Sequence, residues 1–486
     1  MTWIYGTMVD VVSALAEAEA AVPAAESDGL VGEAPPSPAG PAEPGDLERL
    51  PPPPTISVPR LLQVLRFNQR QIEFVFRHRR ELGETFSMRG IVDGDPVITS
   101  HPDHVRSLFT TKPEQAPSLT GESPLRPIVG GNSVLTAVGP RHMRQRKLLL
   151  PPFHGEAIER YVSMIRDVTE REIDRWPVGK PFSLAPRMQA ITLDVIMAGI
   201  FGIEGRPAFG TPEHGVRMAT KYLLAASTLP GAQLAELMNI GRDEPVGVTK
   251  AGLATLDRPT YAVIAKRRRE TDLEERGDIL SLLLRARTEE GEALTSRELR
   301  DELLTLVLAG HETTANQLAW TWERLLRPPA AYDRLRDAVR SDTGADAEVE
   351  ATITEGMRCR PVIPIIGRRV MVPWRLGEYA VPADTPVTMS ILLLHHREDL
   401  YPAPFAFRPE RWQDHKPGTY EWIPFGGGIR RCLGAALAMA EQRVVLEAMT
   451  RRLELEAADP EPEHAVHRNV TMIPAHGARV IVRERR

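Results

Sequence analysis

Two cysteines occur in 486 residues, Cys359 and Cys432, and only Cys432 sits in a setting suited to chemistry. It lies in the run Phe425-Gly426-Gly427-Gly428-Ile429-Arg430-Arg431-Cys432-Leu433-Gly434, ahead of an Ala-rich helical pattern through Leu437, Val444, Leu446 and Met449. The order predicts a thiol at a helix N-terminus, after a loop whose glycines turn sharply and expose backbone N–H groups. A positive helix end and neighbouring arginines lower a thiol pKa from about 8.5, and a bound metal completes the deprotonation. A glycine-rich turn beside a lone cysteine is more often a packing detail. A phosphate loop is excluded because no Gly-Lys-Ser/Thr follows and the glycines miss the GxGxxG spacing. Cys359 has no comparable context and reads as structural.

Three further groups have types and spacings that matter. Ala309-Gly310-His311-Glu312-Thr313-Thr314 places an acid beside a hydroxyl within a helical pattern, and such a pair with ordered water can relay protons. Gly310 removes bulk there and permits a local distortion of the helix. Glu355-Gly356-Met357-Arg358 sets opposite charges three residues apart on one helix face, with Phe407-Arg408-Pro409-Glu410-Arg411-Trp412 downstream. Gly356 is an awkward helix residue, costing about 1 kcal/mol relative to Ala. His142 and Arg146 share a face four residues apart, and Arg368 and Arg430 add cations that could hold carboxylates.

As a set, these motifs resemble the cytochrome P450 family. Phe-x-x-Gly-x-Arg-x-Cys-x-Gly at Phe425–Gly434 matches the family's haem-binding signature at every defined position. The resemblance implies that Cys432 is the thiolate ligand of haem b (iron protoporphyrin IX) and donates electron density so that an O–O bond can break. It implies that Phe425 packs near the haem and that Gly428 and Gly434 let backbone approach the sulfur. Ala309–Thr313 resembles the family's oxygen-binding motif, which assigns the hydroxyl to Thr313, proton delivery to Glu312, and the close approach of haem and oxygen to Gly310. His311 is expected to be a polar helix-face residue, not a ligand. Glu355, Arg358 and Arg411 resemble a buried ion-pair triad that supports the cysteine loop. Arg430, Arg146, His142 and Arg368 are the expected partners of the haem propionates; many relatives carry Trp where His142 stands.

The elements that must position these groups follow from patterning. Thr295 and Glu298 form a capping box opening a helix from Ser296 to Arg327, which Pro328-Pro329 end; roughly 30 residues at ~1.5 Å each span a whole domain. Phe86–Met88 and Pro96–Thr99 read as a hairpin across Asp93-Gly94-Asp95, and short strands return between Gly367 and Val387 and near Val470–Val482. The expected fold is mainly α with a smaller β-rich part, the P450 fold with its long central helix over the haem.

The first 50 residues hold nine acids and one base, Arg49, within a formal net charge of -5. They read as a disordered acidic Ala/Pro-rich tail, or as a mis-assigned start, and residues 51–486 as one catalytic domain. The nearly neutral body gives no sign of nucleic-acid binding. Met1–Leu15 is too short and too interrupted for a membrane anchor, so a cytoplasmic protein is expected. The resemblance, spanning Pro51–Val482 and closest to soluble bacterial members, implies a monooxygenase that uses dioxygen to hydroxylate a hydrophobic small molecule. Its electrons would come from a ferredoxin and a ferredoxin reductase, with Arg144, Lys147 and Arg431 as a docking patch. Two alternatives stay open: a haem-thiolate peroxygenase or isomerase, and a haem-based ligand-binding or sensor protein.

Overall fold

The computed structural model describes residues 35–486 apart from 91–93, 124, 154, 204, 227–234, 236–237, 240, 288–290, 414–415 and 469. The longer helices are α1 (Arg60–Gln69), α2 (Gln71–Leu82), α3 (Pro102–Thr110), α4 (Gly139–Leu149), α5 (Glu156–Ile173), α6 (Ala185–Phe201), α7 (Pro212–Ala226), α8 (Gly247–Arg267), α9 (Ser296–Leu325), α10 (Pro329–Ser341), α11 (Ala345–Cys359) and α12 (Ala435–Arg452). The strands are short: β1 (Ala39–Pro41), β2 (Thr85–Ser87), β3 (Val97–Thr99), β4 (Pro181–Ser183), β5 (Ile365–Val370), β6 (Trp374–Leu376), β7 (Tyr379–Val381), β8 (Thr385–Ser390), β9 (Leu453–Ala457), β10 (Ala465–Arg468), β11 (Thr471–Pro474) and β12 (Arg479–Arg485). They form four small sheets in the orders β2-β3-β8-β5, β1-β6-β7, β4-β12-β9 and β10-β11.

α9 is the axis of the molecule. Its start is a complete capping box: the Thr295 side chain accepts from Glu298 N–H, and Glu298 accepts from Thr295 N–H at 2.9 Å. Trp320 and Trp322 are wholly buried, and Leu299, Leu303, Val307, Leu318 and Leu325 join the main apolar core with residues of α6, α8 and α12. A helix apolar or covered on every side lies inside a domain. Its middle is the exception, because Ala309 is exposed and Leu306, Gly310 and Thr313 are half-buried. These lie at i, i+3, i+4 and i+7, a single open stripe.

Two sequence expectations change. Gly356 has a packing role: a Cβ there would stand 2.3 Å from Thr321 Oγ1 and 2.9 Å from Thr321 Cβ. Glycine is what lets α11 touch α9, and the partner lies on another helix, beyond the reach of local pattern. Residues 35–50, expected to belong to a disordered tail, are ordered. Residues 1–34 lie outside the described residues, but β1 pairs antiparallel with β6, Leu47 is buried, and Ser37 N–H donates to Asp103 Oδ2 at 2.9 Å. This segment has little apolar side chain to bury and is held through its backbone, which composition does not register.

Candidate active site

The loop before α12 turns because its glycines must. Gly428 has φ +61°, and a Cβ on it would stand 2.4 Å from the Phe109 carbonyl oxygen. Cys432 N–H donates to Phe425 O at 2.9 Å, closing the loop two residues before the cap of α12, Gly434. Cys432 is exposed by surface area, yet burial is the largest influence on its thiol and pushes its pKa up. Gly434 N–H, Arg146 and Arg431 act in the opposite sense and favour the thiolate. The expected lowering is therefore present in its parts and outweighed by desolvation; a metal cation would reverse the balance. Gly434 itself leaves room for a Cβ, with Phe153 ring atoms 4.0 Å away. It acts on the sulfur through its N–H. Phe425 is half-buried against Trp422.

Beside this loop the structure collects His142, Arg146, Arg368 and Arg430. Arg146 Nη1 donates to Arg431 O at 2.8 Å. Arg430 donates to Ala137 O at 2.8 Å, to Leu135 O at 2.5 Å and to Thr120 Oγ1. Arg368 is buried on β5 over the Phe109 ring, and its guanidinium donates to Gly367 O at 3.2 Å. Burial pulls the Arg368 and Arg430 guanidiniums down to about 10, and burial followed by the three arginine charges brings His142 to about 3. Among the described residues none of these three arginines has a carboxylate partner. Buried cations without anions are costly; two carboxylates entering this cluster would relieve the cost. An exposed cysteine with an anion-demanding cluster beside it fits haem.

Glu312 and Thr313 form a separate group on α9. Thr313 Oγ1 donates to Ala309 O at 2.6 Å. Glu312 is buried and faces Arg468 of β10, with Oε1 3.2 Å from Nη1. Burial raises its carboxyl pKa; Arg468 offsets part of that. Acid and hydroxyl make no hydrogen bond with each other among the described residues. At Gly310 a Cβ would lie 2.5 Å from Ile196 Cδ1 of α6. Helix packing is thus a second reason for glycine, beside the expected one. His311 is not a surface group: it is buried, and its Nδ1 lies 2.9 Å from Thr192 Oγ1.

The triad residues meet in one knot, with Glu355 and Arg358 fully buried and Arg411 half-buried. Arg358 donates to both Glu355 oxygens at 2.8 Å, and Arg411 Nε reaches Glu355 Oε1 at 3.2 Å. Arg358 also donates to the carbonyls of His395 and Pro404, which fixes the chain leading to the cysteine loop. Burial pushes the Glu355 carboxyl up, but the two arginines pull harder and bring it to about 2. Trp412 Nε1 donates to Glu355 Oε2 at 3.0 Å and Arg408 N–H to Oε1 at 2.8 Å. Trp412 is a fourth member that its place next to Arg411 could have suggested. Arg468 gave no local signal. In the expected docking patch, Arg144 pairs with Glu298 at 2.8 Å; Lys147 and Arg431 have exposed surface.

Comparison with known proteins decides the lineage: the family model for cytochrome P450 matches residues 51–482. The chain belongs to the cytochrome P450 family. It is 36% identical over 422 residues to cytochrome P450 137 of Mycobacterium tuberculosis, covering 84% of each chain. It is 35% identical over 434 residues to cytochrome P450 138 of Mycobacterium bovis, covering 89% of this chain and 96% of that one. Among solved structures, a retinoic-acid-bound cyanobacterial P450, CYP120A1, superposes with a TM-score of 0.74 at 21% identity, covering 90% of this chain and all (100%) of that one. This P450 has the family's mixed α and β fold, haem b as cofactor and monooxygenase activity. Among the described residues no helix is long and apolar enough to cross a membrane.

Proposed function

We propose that this P450 hydroxylates a hydrophobic small molecule, with Cys432 as the ligand to haem iron and Glu312 and Thr313 supplying protons. The observation that carries this reading is Cys432 itself, an exposed residue just ahead of α12 whose thiol is acted on by Gly434 N–H and by Arg146. When bound, the haem supplies oxygen activation, with the thiolate donating electron density to the iron. The chain's own work is to hold that thiolate, to neutralise the propionates through Arg146, Arg368 and Arg430 with a hydrogen bond from the uncharged His142, and to deliver protons from Glu312. For the relay, the Thr313 hydroxyl turns from Ala309 O toward the open stripe of α9, and water links it to Glu312.

A hydrophobic substrate is supported by the stripe itself, Leu306 and Ala309, and by Ile365 and Ile366 at the start of β5, which are apolar and incompletely covered. Electrons from a ferredoxin and its reductase, in the cytoplasm, suit the exposed Lys147 and Arg431 near the cysteine loop. Turnover with such a donor should then fall as salt rises.

The test is spectroscopic. Carbon monoxide added to the reduced protein should give the thiolate-specific Soret band, lost in Cys432→Ser, and apolar compounds should shift the iron spin state. Thr313→Ala should keep the band while electrons are consumed without matching product. If Cys432→Ser retains the band, or Thr313→Ala hydroxylates with undiminished coupling, the corresponding assignment fails.

A further inference from the structure

Away from the haem-side residues, the hairpin β10–β11 brings three metal-ligating side chains to its open end. Ala465 pairs with Pro474, and Ala475 N–H donates to His464 O at 3.0 Å, so His464 and His476 lie on opposing strands just beyond the ladder. Glu463 completes the group, and one donor atom from each residue lies within 4.8 Å of the others. The Glu463 carboxylate is buried and fixed: it accepts from His476 N–H at 3.1 Å, Ala478 N–H at 3.2 Å and the His476 ring at 2.9 Å. A carboxylate oxygen only accepts, so His476 Nδ1 carries the proton here. Both imidazoles are exposed, and their ring centroids are 5.2 Å apart.

We propose that Glu463, His464 and His476 bind one divalent transition-metal ion of the zinc class, distinct from the haem iron. Imidazole and carboxylate donors suit such ions. A four-coordinate ion with bonds of about 2.0–2.2 Å sets its donors roughly 3.3 Å apart. The Glu463–His476 separation of 2.9 Å is already near that spacing. The ion takes the place of the shared proton, His476 then carries its proton on the outward Nε2, and His464 swings in as third ligand. Water fills the fourth position. The rigid carboxylate and the paired strands supply preorganisation that a chance surface pair of histidines lacks. The ion joins residues on both sides of the hairpin and clasps its ends.

Untagged haem-loaded protein should bind one Zn²⁺ per chain at micromolar free zinc, measured by calorimetry and by metal analysis after dialysis. Zinc should also raise its thermal midpoint. His464→Ala and His476→Ala, both at exposed positions, should each weaken binding at least ~10-fold and abolish the thermal shift. Glu463→Gln should weaken it similarly. The reduced carbonyl spectrum, unchanged in these variants, reports that the fold and Cys432 are intact. Zinc binding that survives in the double histidine variant, or wild-type binding seen only at millimolar zinc, would overturn the proposal. Neither result bears on the assignment of Cys432.

Discussion

Glu312 Oε1 stands 3.2 Å from Arg468 Nη1, tying the open middle of α9 to β10. The pair opposes two forces on one carboxyl. Burial raises its pKa and the guanidinium lowers it, with burial the larger, so the net shift is upward. A carboxyl whose folded pKa is raised costs stability once it ionises. The cost is absent at pH values below the ordinary carboxylate range and grows as pH rises through the folded pKa. Arg468→Gln removes the lowering charge and raises that pKa further. The variant should match wild type at pH 4 and melt lower at pH 8; an equal drop at both would contradict the coupling.

Glu312→Gln keeps the shape and removes the acid. If Glu312 delivers protons, product formation should fall by about 10²–10⁴-fold, the usual contribution of a general acid, while the carbonyl spectrum stays that of wild type. Stopped-flow reduction followed by product analysis separates the two. A variant with normal product yield would remove Glu312 from the relay.

The arginines near Cys432 should behave oppositely with and without haem. Arg368 is buried and Arg430 half-buried, both lack a carboxylate partner among the described residues, and desolvation pulls both down to about 10. Arg368→Met should therefore leave the haem-free protein as stable or more so, because a buried lone cation costs free energy. The same variant should lose haem to an acceptor protein roughly 10- to 100-fold faster, since charge-assisted hydrogen bonds contribute about 1.5–3 kcal/mol. Equal losses in both forms would mean that Arg368 is only structural.

The triad makes a pH prediction of the other sign. Glu355 is held at about 2 against an ordinary value of 4.5. Its contribution is fully present above pH 4.5 and is lost as pH falls toward 2, on the order of 3 kcal/mol in all. Denaturant melts between pH 6 and 3 should show wild type weakening steeply. Glu355→Gln, less stable at pH 6, should have a flatter profile.

Local sequence revealed what local sequence encodes. The capping box at Thr295 and Glu298, the length of α9 and the β2–β3 hairpin depend on nearby residues, and the structure has them close to their expected bounds. The cysteine loop was legible because cysteine, glycines and arginines fall within ten residues. What escaped lies across space. Arg468 meets Glu312 from β10, Gly310 answers Ile196 on α6, and β1 is ordered by its pairing with β6. None of these contacts leaves a periodicity. The thiol was misjudged for a related reason: helix end and arginines can be read from sequence, but desolvation depends on everything packed around the sulfur.

Gly356 provides the sharpest test of such a contact. A Cβ there would meet Thr321 Oγ1 at 2.3 Å, and Thr321 is buried with its hydroxyl bonded to Gln317 O at 2.9 Å. Helix propensity favours alanine over glycine by about 1 kcal/mol, so a propensity argument predicts that Gly356→Ala stabilises. Packing predicts the reverse, because overfilling a tight core contact costs about 1–3 kcal/mol. Thr321→Ala should be mildly destabilising alone and should rescue Gly356→Ala, giving a coupling of roughly 1 kcal/mol or more between two residues in contact. The triad residues Glu355 and Arg358 flank Gly356, so the uncompensated variant should also lose haem more readily. Urea melts of the four proteins decide it: additive effects, or a stabilised Gly356→Ala, would show that α11 can shift away from α9 without cost.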